Sequence, residues 1–263
     1  MIKPVEIPNR SPLFGKYMLI TALIRKEMTI QFGKHELGFA WVLIDPISNV
    51  LIMGFVVGVL LKAKTVPEIP FLFFLLIGFQ LLTIFKDALN SGMAAIGSNR
   101  QFMAYRNIGT LDVFLAKYLY NFLINTLATI IFIVASIWWG LEISFGHLET
   151  IAAAYIISSL LGCGCGLSLG VVTRNSMLAK RMVQLAQRPL MFLSCILHPY
   201  SDVSPIIAQY LYWNPLVHCI ELGRKSLFPH YYAGNLNLAY PSIILILFMG
   251  IGTSLYFKNR HKI

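Results

Sequence analysis

The stretch GKHELGFAWVLIDPISN, residues 33–49, passes from polar and charged residues directly into apolar chain. Trp41 lies near the start of the apolar part, and Asp45 is the only charged residue between Phe39 and Leu61. A bilayer core is crossed by about 20 apolar residues, and tryptophan is enriched at headgroup depth. The stretch therefore predicts a membrane-spanning helix over about residues 39–61.

The composition of the whole chain agrees with a membrane fold. Of 263 residues, 57% are hydrophobic and 12% are charged, and the mean hydropathy is +0.70. An ordinary soluble domain is far more polar. The net charge of +10 comes from scattered Lys and Arg without a dense basic run, so we expect no nucleic-acid partner. The four cysteines lack metal-ligand spacing, and we expect no metal.

Five further segments are long and apolar enough to be membrane spans. They cover about residues 70–89, 111–140, 149–173, 182–201 and 240–258. We therefore predict an all-α, polytopic membrane protein with six transmembrane helices in a single domain over residues 1–263. The fifth span has Gln184, Gln187 and Arg188 in its inner half, so we expect it to border a hydrated space.

Basic residues set the predicted orientation. Most of the 21 Lys and Arg fall at those ends of the spans that face the cytoplasm if both termini are cytoplasmic. The opposite arrangement would place this positive charge outside, against the positive-inside rule. We therefore predict that both termini face the cytoplasm.

Residues 11–36 precede the first span and have an amphipathic pattern. Ser11-Pro12 is a typical helix start. Basic residues Lys16, Arg25 and Lys26 then accompany apolar residues at helical spacing. The apolar residues are Leu13, Tyr17, Ile20, Ile24, Met28 and Phe32. We predict an amphipathic helix that lies at the membrane interface.

Residues 203–230 are apolar enough for a seventh span, but Asn214-Pro215 divides them. Proline disfavours helix at the residue before it. A seventh span would also place the basic C-terminal sequence KNRHK outside. We predict two short helices that are re-entrant or lie on the outer face, with the broken backbone sheltered by protein or water.

Motifs that often mark enzymes or nucleotide sites lack their required context here. The Gly-x-Ser-x-Gly match around Ser168 lies inside an apolar helical span rather than after a strand. The sequence KHELGF has Phe39 where a zinc protease needs its second histidine, and no phosphate-binding loop for ATP occurs. We expect no catalytic residue, metal ligand or cofactor in this chain.

Glycines recur at four-residue spacing in the fourth predicted span, at Gly162, Gly166 and Gly170. Residues with this spacing lie on one face of a helix. Small residues there allow another helix to approach closely, so this face predicts helix packing.

Two charged residues inside predicted spans are candidates for function. Asp45 lies within the first span, where burial of a charge in lipid is costly. An acid that faces water or pairs with a base such as Lys86 is an equally good interpretation of Asp45. Arg188 suits contact with an anionic substrate in a hydrated path, and anchoring of the inner helix end is the simpler interpretation.

The connection between the second and third spans, residues 90–112, combines apolar, aromatic and basic side chains. The residues concerned are Arg100, Phe102, Met103, Tyr105, Arg106 and Asn107. Exposed aromatics framed by arginines suit a protein-docking surface. A loop that folds back onto the interfacial helix is the alternative.

Aromatic residues also cluster on the predicted outer side. They are Tyr200, Tyr210, Tyr212, Trp213, Tyr231 and Tyr232. Anchoring at the membrane interface explains many of them, and stacking on sugar faces is an equally good use of such rings.

Residues 11–260 resemble the permease subunit of a type 2 ABC exporter, in the branch that exports capsular polysaccharide and the related O-antigen. The resemblance rests on the interfacial helix, on LGFAWVLIDP with Leu37, Gly38, Trp41 and Pro46, and on the cytoplasmic loop with SNRQFMAYRN. The Asn214-Pro215 break before the last span also agrees. The sequence departs from the family in having Ile108-Gly109 where a proline is frequent between this loop and the third span.

The resemblance implies a homodimer in the bacterial inner (cytoplasmic) membrane, joined to two copies of a separate ATP-binding subunit that holds ATP and Mg. It places a coupling helix at residues 98–107 and a shared contact on the N-terminal helix. The expected coupling residues are Ser98, Asn99, Arg100, Gln101, Phe102, Tyr105, Arg106, Asn107, Arg25 and Lys26.

The resemblance also implies a conduit lined by spans one, two and five for a lipid-linked, anionic glycan. The expected substrate-path residues are Trp41, Asp45, Arg188, Tyr200, Tyr210, Tyr212, Trp213, Arg224 and Lys225. Lys62 and Lys64 are further cationic residues on the outer side. Membrane lipid is an expected partner, and periplasmic and outer-membrane export proteins remain open.

Other functions remain open at this point. A type 2 ABC permease for O-antigen, teichoic acid or a drug would have the same pattern, because the sequence of apolar spans does not indicate which cargo is transported. An ATP-independent integral membrane protein, such as a membrane enzyme or an ion-coupled transporter, is the alternative from another class. The small number of ionisable groups inside the spans counts against both of these last two.

Overall fold

The computed structural model describes residues 12–32, 48, 52, 54–56, 69–97, 109–140, 147–228 and 230–259. Every regular element among these residues is helical, which confirms the all-α class for the described part of the chain. The elements are α1 (Pro12–Phe32), α2 (Phe71–Gly97), α3 (Thr110–Trp138), α4 (Leu148–Thr173), α5 (Met177–Ala186), α6 (Leu190–Leu193), a 3₁₀ turn (Tyr200–Asp202), α7 (Pro205–Leu211), α8 (Pro215–Leu227) and α9 (Ala239–Asn259).

Four of the described helices are long and apolar enough to cross a membrane, and they are α2, α3, α4 and α9. They correspond to the spans predicted near residues 70–89, 111–140, 149–173 and 240–258. The chain is therefore a multi-pass membrane protein. The span predicted over 39–61 lies outside the described residues apart from a few positions, so it stays a prediction.

The segment predicted as a span over residues 182–201 is not one continuous helix. This segment, which we call the fifth segment (residues 177–199), consists of α5, a turn at 187–189, α6 and a second irregular stretch from Ser194. Pro189 follows the first turn, and Cys195 has a φ of 53°, a left-handed conformation that ends a helix. The helical pieces are too short to span a bilayer as single helices.

Glycines on two faces of α4 place this helix at the centre of the bundle. A Cβ atom on Gly162 or Gly166 would collide with the carbonyl oxygens of Phe85 and Leu89 on α2. On the other side of α4, a Cβ atom on Gly164 would lie 2.8 Å from the Met249 nitrogen of α9. The predicted small-residue face is thus confirmed, and it packs against α2.

Helix α3 packs against α2 and turns an apolar stripe outward. Exposed residues of the stripe are Leu111, Leu115, Leu119, Leu123, Leu127, Ile130, Val134 and Ile137. A continuous apolar stripe on a membrane-spanning helix suits contact with lipid. Trp138 and Trp139, at the end of the helix, are exposed as well.

Helix α1, predicted over residues 11–36, is present and lies along α3. Leu23 is buried in this contact, and the Glu27 carboxylate lies 3.4 Å from the Lys117 ammonium of α3. Arg25 and Lys26 are exposed. The position of α1 at a membrane interface stays a prediction.

The predicted break at Asn214-Pro215 is confirmed, and it separates two helices with different environments. The Asn214 side chain accepts a hydrogen bond from the Leu216 N–H at 3.0 Å and caps α8, with Pro215 in the first turn. Eleven of the 13 residues of α8 are buried, and α8 packs against α4, α2 and α9. In α7 only Leu211 is buried. The backbone of α8 is therefore sheltered by protein, as the re-entrant arrangement requires.

Candidate functional site

Two polar clusters attach the fifth segment to α2. The inner cluster is an amide pair between Gln187, at the end of α5, and Asn90 of α2. The Gln187 Nε2 donates to the Asn90 Oδ1 at 3.0 Å, and the Asn90 Nδ2 donates to the Gln187 Oε1 at 3.3 Å. Each amide thus satisfies the donor and the acceptor that the other would otherwise leave unpaired.

Gln187 differs from its neighbours in sequence because its side chain is buried. All residues from Arg174 to Leu193 are described, and among them Gln187 alone is buried, at 7% exposure. The side chains of α5 are exposed or half-buried. The amide pair with Asn90 is thus a buried polar attachment of this part of the fifth segment, beside the partly buried side chains of Val183, Leu190 and Met191, which pack against the core.

The outer cluster is centred on Arg224 of α8, whose side chain is completely buried. Its Nη1 donates to the Cys195 carbonyl and to the Glu221 Oε1, both at 2.8 Å, and its Nη2 donates to the Ile196 carbonyl at 2.8 Å. The Nε donates to the Phe74 carbonyl at 3.3 Å, and the guanidinium lies 3.5 Å from the centre of the Phe74 ring. One side chain thus joins α8, α2 and the irregular stretch after α6.

Glu221 balances the charge of Arg224 inside the protein. Its second carboxylate oxygen accepts a hydrogen bond from the Tyr231 hydroxyl at 2.6 Å. Burial raises the pKa of the Glu221 carboxyl, and the Arg224 guanidinium and the Tyr231 hydroxyl oppose this rise because they stabilise the carboxylate. Burial also raises the pKa of the Tyr231 hydroxyl, so this group stays a donor.

The two attachments explain why the fifth segment is not one helix. Its outer part lies at Gly78, where a Cβ atom would be 3.3 Å from the Ile196 Cγ2, and its inner part lies at Asn90. Along α2 these positions are about 18 Å apart, whereas a straight helix from Gln187 to Ile196 would rise only about 13 Å. The chain covers the difference with the irregular turns that flank α6.

The other side of the fifth segment is exposed. Arg188 follows the buried Gln187 directly and is itself exposed, and among the described residues no acid lies within ion-pair distance of its guanidinium. Exposed apolar side chains lie on both sides of it in sequence, and they are Met182, Leu185, Phe192 and Leu193. This surface, which we call the exposed wall, combines the exposed guanidinium of Arg188 with apolar side chains.

Arg224 requires a correction. The sequence placed it on the substrate path, but its side chain is fully buried and its donors are used by Glu221 and by three backbone carbonyls. In this conformation it is not available to a glycan. Lys225, the next residue, is exposed.

The predicted outer aromatics divide into two groups. Tyr210, Trp213 and Tyr232 are strongly exposed, at 71%, 72% and 68%. Tyr200 is half-buried and donates to the Ala208 carbonyl at 3.1 Å, while Tyr231 is buried against Glu221.

The structure brings Tyr212 and Trp213 together with Tyr240, a residue that the sequence did not single out. The ring centres of these two residues lie 6.2 and 6.4 Å from that of Tyr240. The buried His218 lies behind them, with its ring nitrogens 3.0 Å from the Asn237 carbonyl and 2.9 Å from the Tyr212 carbonyl. These three rings form an outer aromatic surface whose most exposed member is Trp213.

A further polar network between α2 and α3 was missed by the sequence analysis. The Asn125 Nδ2 of α3 donates to the Asp87 Oδ2 at 2.8 Å, and the Gln80 Nε2 donates to the Asn125 carbonyl at 2.9 Å. The Asn121 Nδ2 donates to the Ser91 Oγ at 2.9 Å. The signal was present in the spacing, because residues 80 and 87 lie two turns apart on α2 and residues 121 and 125 lie one turn apart on α3.

The similarity of this chain to known sequences decides its family. The family described as ABC-2 type transporter matches residues 18–228. The chain belongs to the ABC-2 type transporter family. The match covers the helices α2 to α8 and most of α1, and it therefore includes both attachments of the fifth segment.

Relatives of this ABC-2 family member are similar over most of their length. The polysialic acid transport protein KpsM of Escherichia coli is 30% identical over 248 residues, which cover 94% of this chain and 95% of KpsM. The capsule polysaccharide export inner-membrane protein CtrC of Neisseria meningitidis serogroup B is 23% identical over 80% of this chain and 79% of CtrC. The capsule polysaccharide export inner-membrane protein BexB of Haemophilus influenzae is 20% identical over 89% of this chain and 88% of BexB.

Several predicted residues of this ABC-2 family member lie outside the described part of the chain. Trp41 and Asp45 are among them, as is the whole segment 98–107 with its predicted coupling residues. Their roles stay predictions. The predicted coupling residues that are described, Arg25 and Lys26, are exposed on α1.

Proposed function

We propose that this chain is the transmembrane subunit of an ATP-driven exporter that moves a lipid-linked, capsular-type polysaccharide across the inner membrane. A separate subunit binds and hydrolyses ATP with Mg, and this chain carries out transport without a catalytic step of its own. The observation that carries the proposal is the 30% identity, over 94% of the chain, to a protein named for transport of polysialic acid. CtrC and BexB are named for capsule polysaccharide export and support the same class of cargo.

The proposed assembly is a homodimer in which each subunit is one permease domain of residues 1–263 with six membrane crossings. Residues 39–61 form the first crossing, and the broken fifth segment forms the fifth. Both termini face the cytoplasm, because most basic residues then lie on that side. Helix α1 lies at the cytoplasmic membrane interface, and two ATP-binding subunits contact it and the segment 98–107.

In the proposed mechanism, ATP binding closes the two partner subunits and moves the segments 98–107. Because this segment joins α2 to α3, the motion passes into α2 and into the fifth segment, which is attached to α2 at Asn90 and near Gly78. The glycan advances along the exposed wall, where Arg188 attracts its negative charge. Lys225 and the outer aromatic surface then contact the glycan as it leaves.

The partner subunit is tested by purification of the tagged protein from its native membrane, followed by mass spectrometry. We expect a stoichiometric ATP-binding subunit, and we expect its loss when Arg100, Phe102 and Tyr105 are changed together to alanine. The matched control is His147→Ala, an exposed position in the connection at the opposite end of α3. A chain that is isolated alone in several mild detergents would contradict the proposal.

The charge interaction is tested by export rate in cells or vesicles at equal amounts of assembled complex. We expect Arg188→Ala to lower the rate about tenfold or more and Arg188→Lys to retain more of it, since a hydrogen bond to a charged group contributes about 1.5–3 kcal/mol. Wild-type export by Arg188→Ala would contradict the role of Arg188 in the path.

A further inference from the structure

We propose that the Asn90–Gln187 amide pair is a positioning device that fixes Arg188 of the exposed wall at the depth where it contacts the anionic glycan. This inference rests on the proposed function. Neither Asn90 nor Gln187 contacts the glycan, and both act through the guanidinium of the residue that follows Gln187.

The first argument is the attachment itself. In the stretch from Arg174 to Leu193, Gln187 is the only buried residue. Its two hydrogen bonds to Asn90, at 3.0 and 3.3 Å, fix both the position and the rotation of the chain at that point. Because Arg188 is the next residue, the direction of its side chain follows from the same two bonds.

The second argument is depth. Asn90 lies seven residues before the end of α2 at Gly97, which is about 10 Å along the helix axis. An arginine that lies within the hydrocarbon layer is costly unless water or an anion reaches it. Arg188 is exposed, and no acid among the described residues pairs with it. An anionic cargo that passes the wall supplies the missing charge.

The third argument is the chemistry of the pair. Two amides satisfy each other without a net charge, whereas a carboxylate at either position would attract the neighbouring guanidinium away from the cargo. The backbone also holds Arg188 in a turn, because its N–H donates to the Leu185 carbonyl at 3.1 Å and its carbonyl accepts from the Met191 N–H at 3.4 Å. The side chain of Arg188 therefore stays free while its backbone is fixed.

The test is a double-mutant cycle on export rate, with the amount of assembled complex measured for every variant. We expect Gln187→Ala and Asn90→Ala each to lower export about tenfold, since either change removes both hydrogen bonds that hold the turn before Arg188. In an Arg188→Ala background, we expect Gln187→Ala to cause less than about a twofold further loss, because a positioning residue has nothing left to position. Asn175→Ala, at an exposed amide before α5, is the control and should leave export unchanged.

A swapped pair separates positioning from general stability. The double variant Asn90→Gln/Gln187→Asn keeps one long and one short amide, and we expect it to recover most of the export that Gln187→Asn alone loses. Full and independent loss from Gln187→Ala in the Arg188→Ala background would overturn the positioning role and leave the proposed function intact. Wild-type export by Arg188→Ala would overturn the role of Arg188 and, with it, this inference.

Discussion

The Arg224 guanidinium lies 2.8 Å from the Glu221 carboxylate, and neither side chain is exposed. The pair is one helical turn apart on α8, a helix of 13 residues that is buried against α4, α2 and α9. Because the Arg224 side chain is fully buried, water does not compete for its N–H donors. The donors not used by Glu221 bind the carbonyls of Phe74, Cys195 and Ile196. The Cys195 and Ile196 carbonyls lie in the irregular stretch after α6, where no helix supplies a partner, and an unpaired buried carbonyl is costly.

Loss of this arginine should destabilise the protein strongly. We expect Arg224→Ala to lower the free energy of unfolding in detergent micelles by about 3–5 kcal/mol, because it leaves the Glu221 charge buried without its partner. The matched control is Lys225→Ala, whose side chain is exposed and which should change stability by less than about 0.5 kcal/mol. Equal stability of the two variants would contradict the structural role of Arg224.

Removal of both charges should cost less than removal of one. We expect Glu221→Met/Arg224→Met to be more stable than Arg224→Met alone by about 1–3 kcal/mol, since no uncompensated charge then remains inside the protein. Unfolding of the three proteins under identical detergent conditions measures this difference. A double variant that is less stable than the single variant would show that Arg224 acts through the backbone carbonyls and not through Glu221.

The glycine face of α4 predicts a second stability difference. A Cβ atom on Gly166 would meet the backbone of Leu89, which cannot move without separating α2 from α4. We expect Gly166→Ala to destabilise the protein by about 1–3 kcal/mol. For Gly250 on α9, nothing lies within 4 Å of the added atom, so Gly250→Ala should be neutral or stabilising by up to about 1 kcal/mol. Thermal unfolding of both variants measures the difference. A lower melting temperature for Gly250→Ala than for Gly166→Ala would contradict the close packing of α4 against α2.

The polar network between α2 and α3 predicts a difference in stability between two alanine variants of α3. Asn125 is buried, and Asn125→Ala should cost about 1–3 kcal/mol because Asp87 loses the hydrogen bond from the Asn125 Nδ2 at 2.8 Å. Gln80 keeps its bond to the Asn125 backbone carbonyl in this variant. Leu123→Ala, on the exposed stripe of the same helix, should cost much less. The measurement is the unfolding free energy in micelles, and similar costs for the two variants would mean that the network contributes little.

The cap of α8 predicts a smaller effect. Asn214→Ala removes the hydrogen bond to the Leu216 N–H and the one that the Asn214 Nδ2 donates to the Leu193 carbonyl at 2.8 Å. We expect a cost of about 1–2 kcal/mol. Ser204 occupies the same position before α7 but makes no capping hydrogen bond, so Ser204→Ala should leave the melting temperature nearly unchanged. A larger shift for Ser204→Ala than for Asn214→Ala would refute this assignment.

The positions of the long apolar helices could be predicted from the sequence because they depend on the local pattern of residues. Helices α2, α3, α4 and α9 lie where apolar runs of sufficient length occur. The break at Asn214-Pro215 was also predictable, since proline acts on the residue beside it whatever the surroundings. The glycine face of α4 followed from four-residue spacing alone.

The candidate site could be predicted only in part. Arg188 was identified because an arginine beside two glutamines is unusual in an apolar segment, and the structure leaves it exposed. Arg224 was assigned to the substrate path because it is a cation on the predicted outer side, but only the fold shows that Glu221 and three carbonyls surround it. Burial depends on which distant segments pack together, and no local pattern encodes that.

The sequence by itself determined that the chain is helical, lies in a membrane and is interrupted before its last span, because hydropathy, glycine spacing and proline act over a few residues. Only the tertiary structure decided that the fifth segment is broken and attached to α2 at two places. One attachment joins Gln187 to Asn90, 97 residues apart. In the other, Arg224 of α8 donates to the Cys195 and Ile196 carbonyls and to the carbonyl of Phe74, 150 residues away. Hydrogen bonds between such distant residues form only after the bundle has brought their helices together.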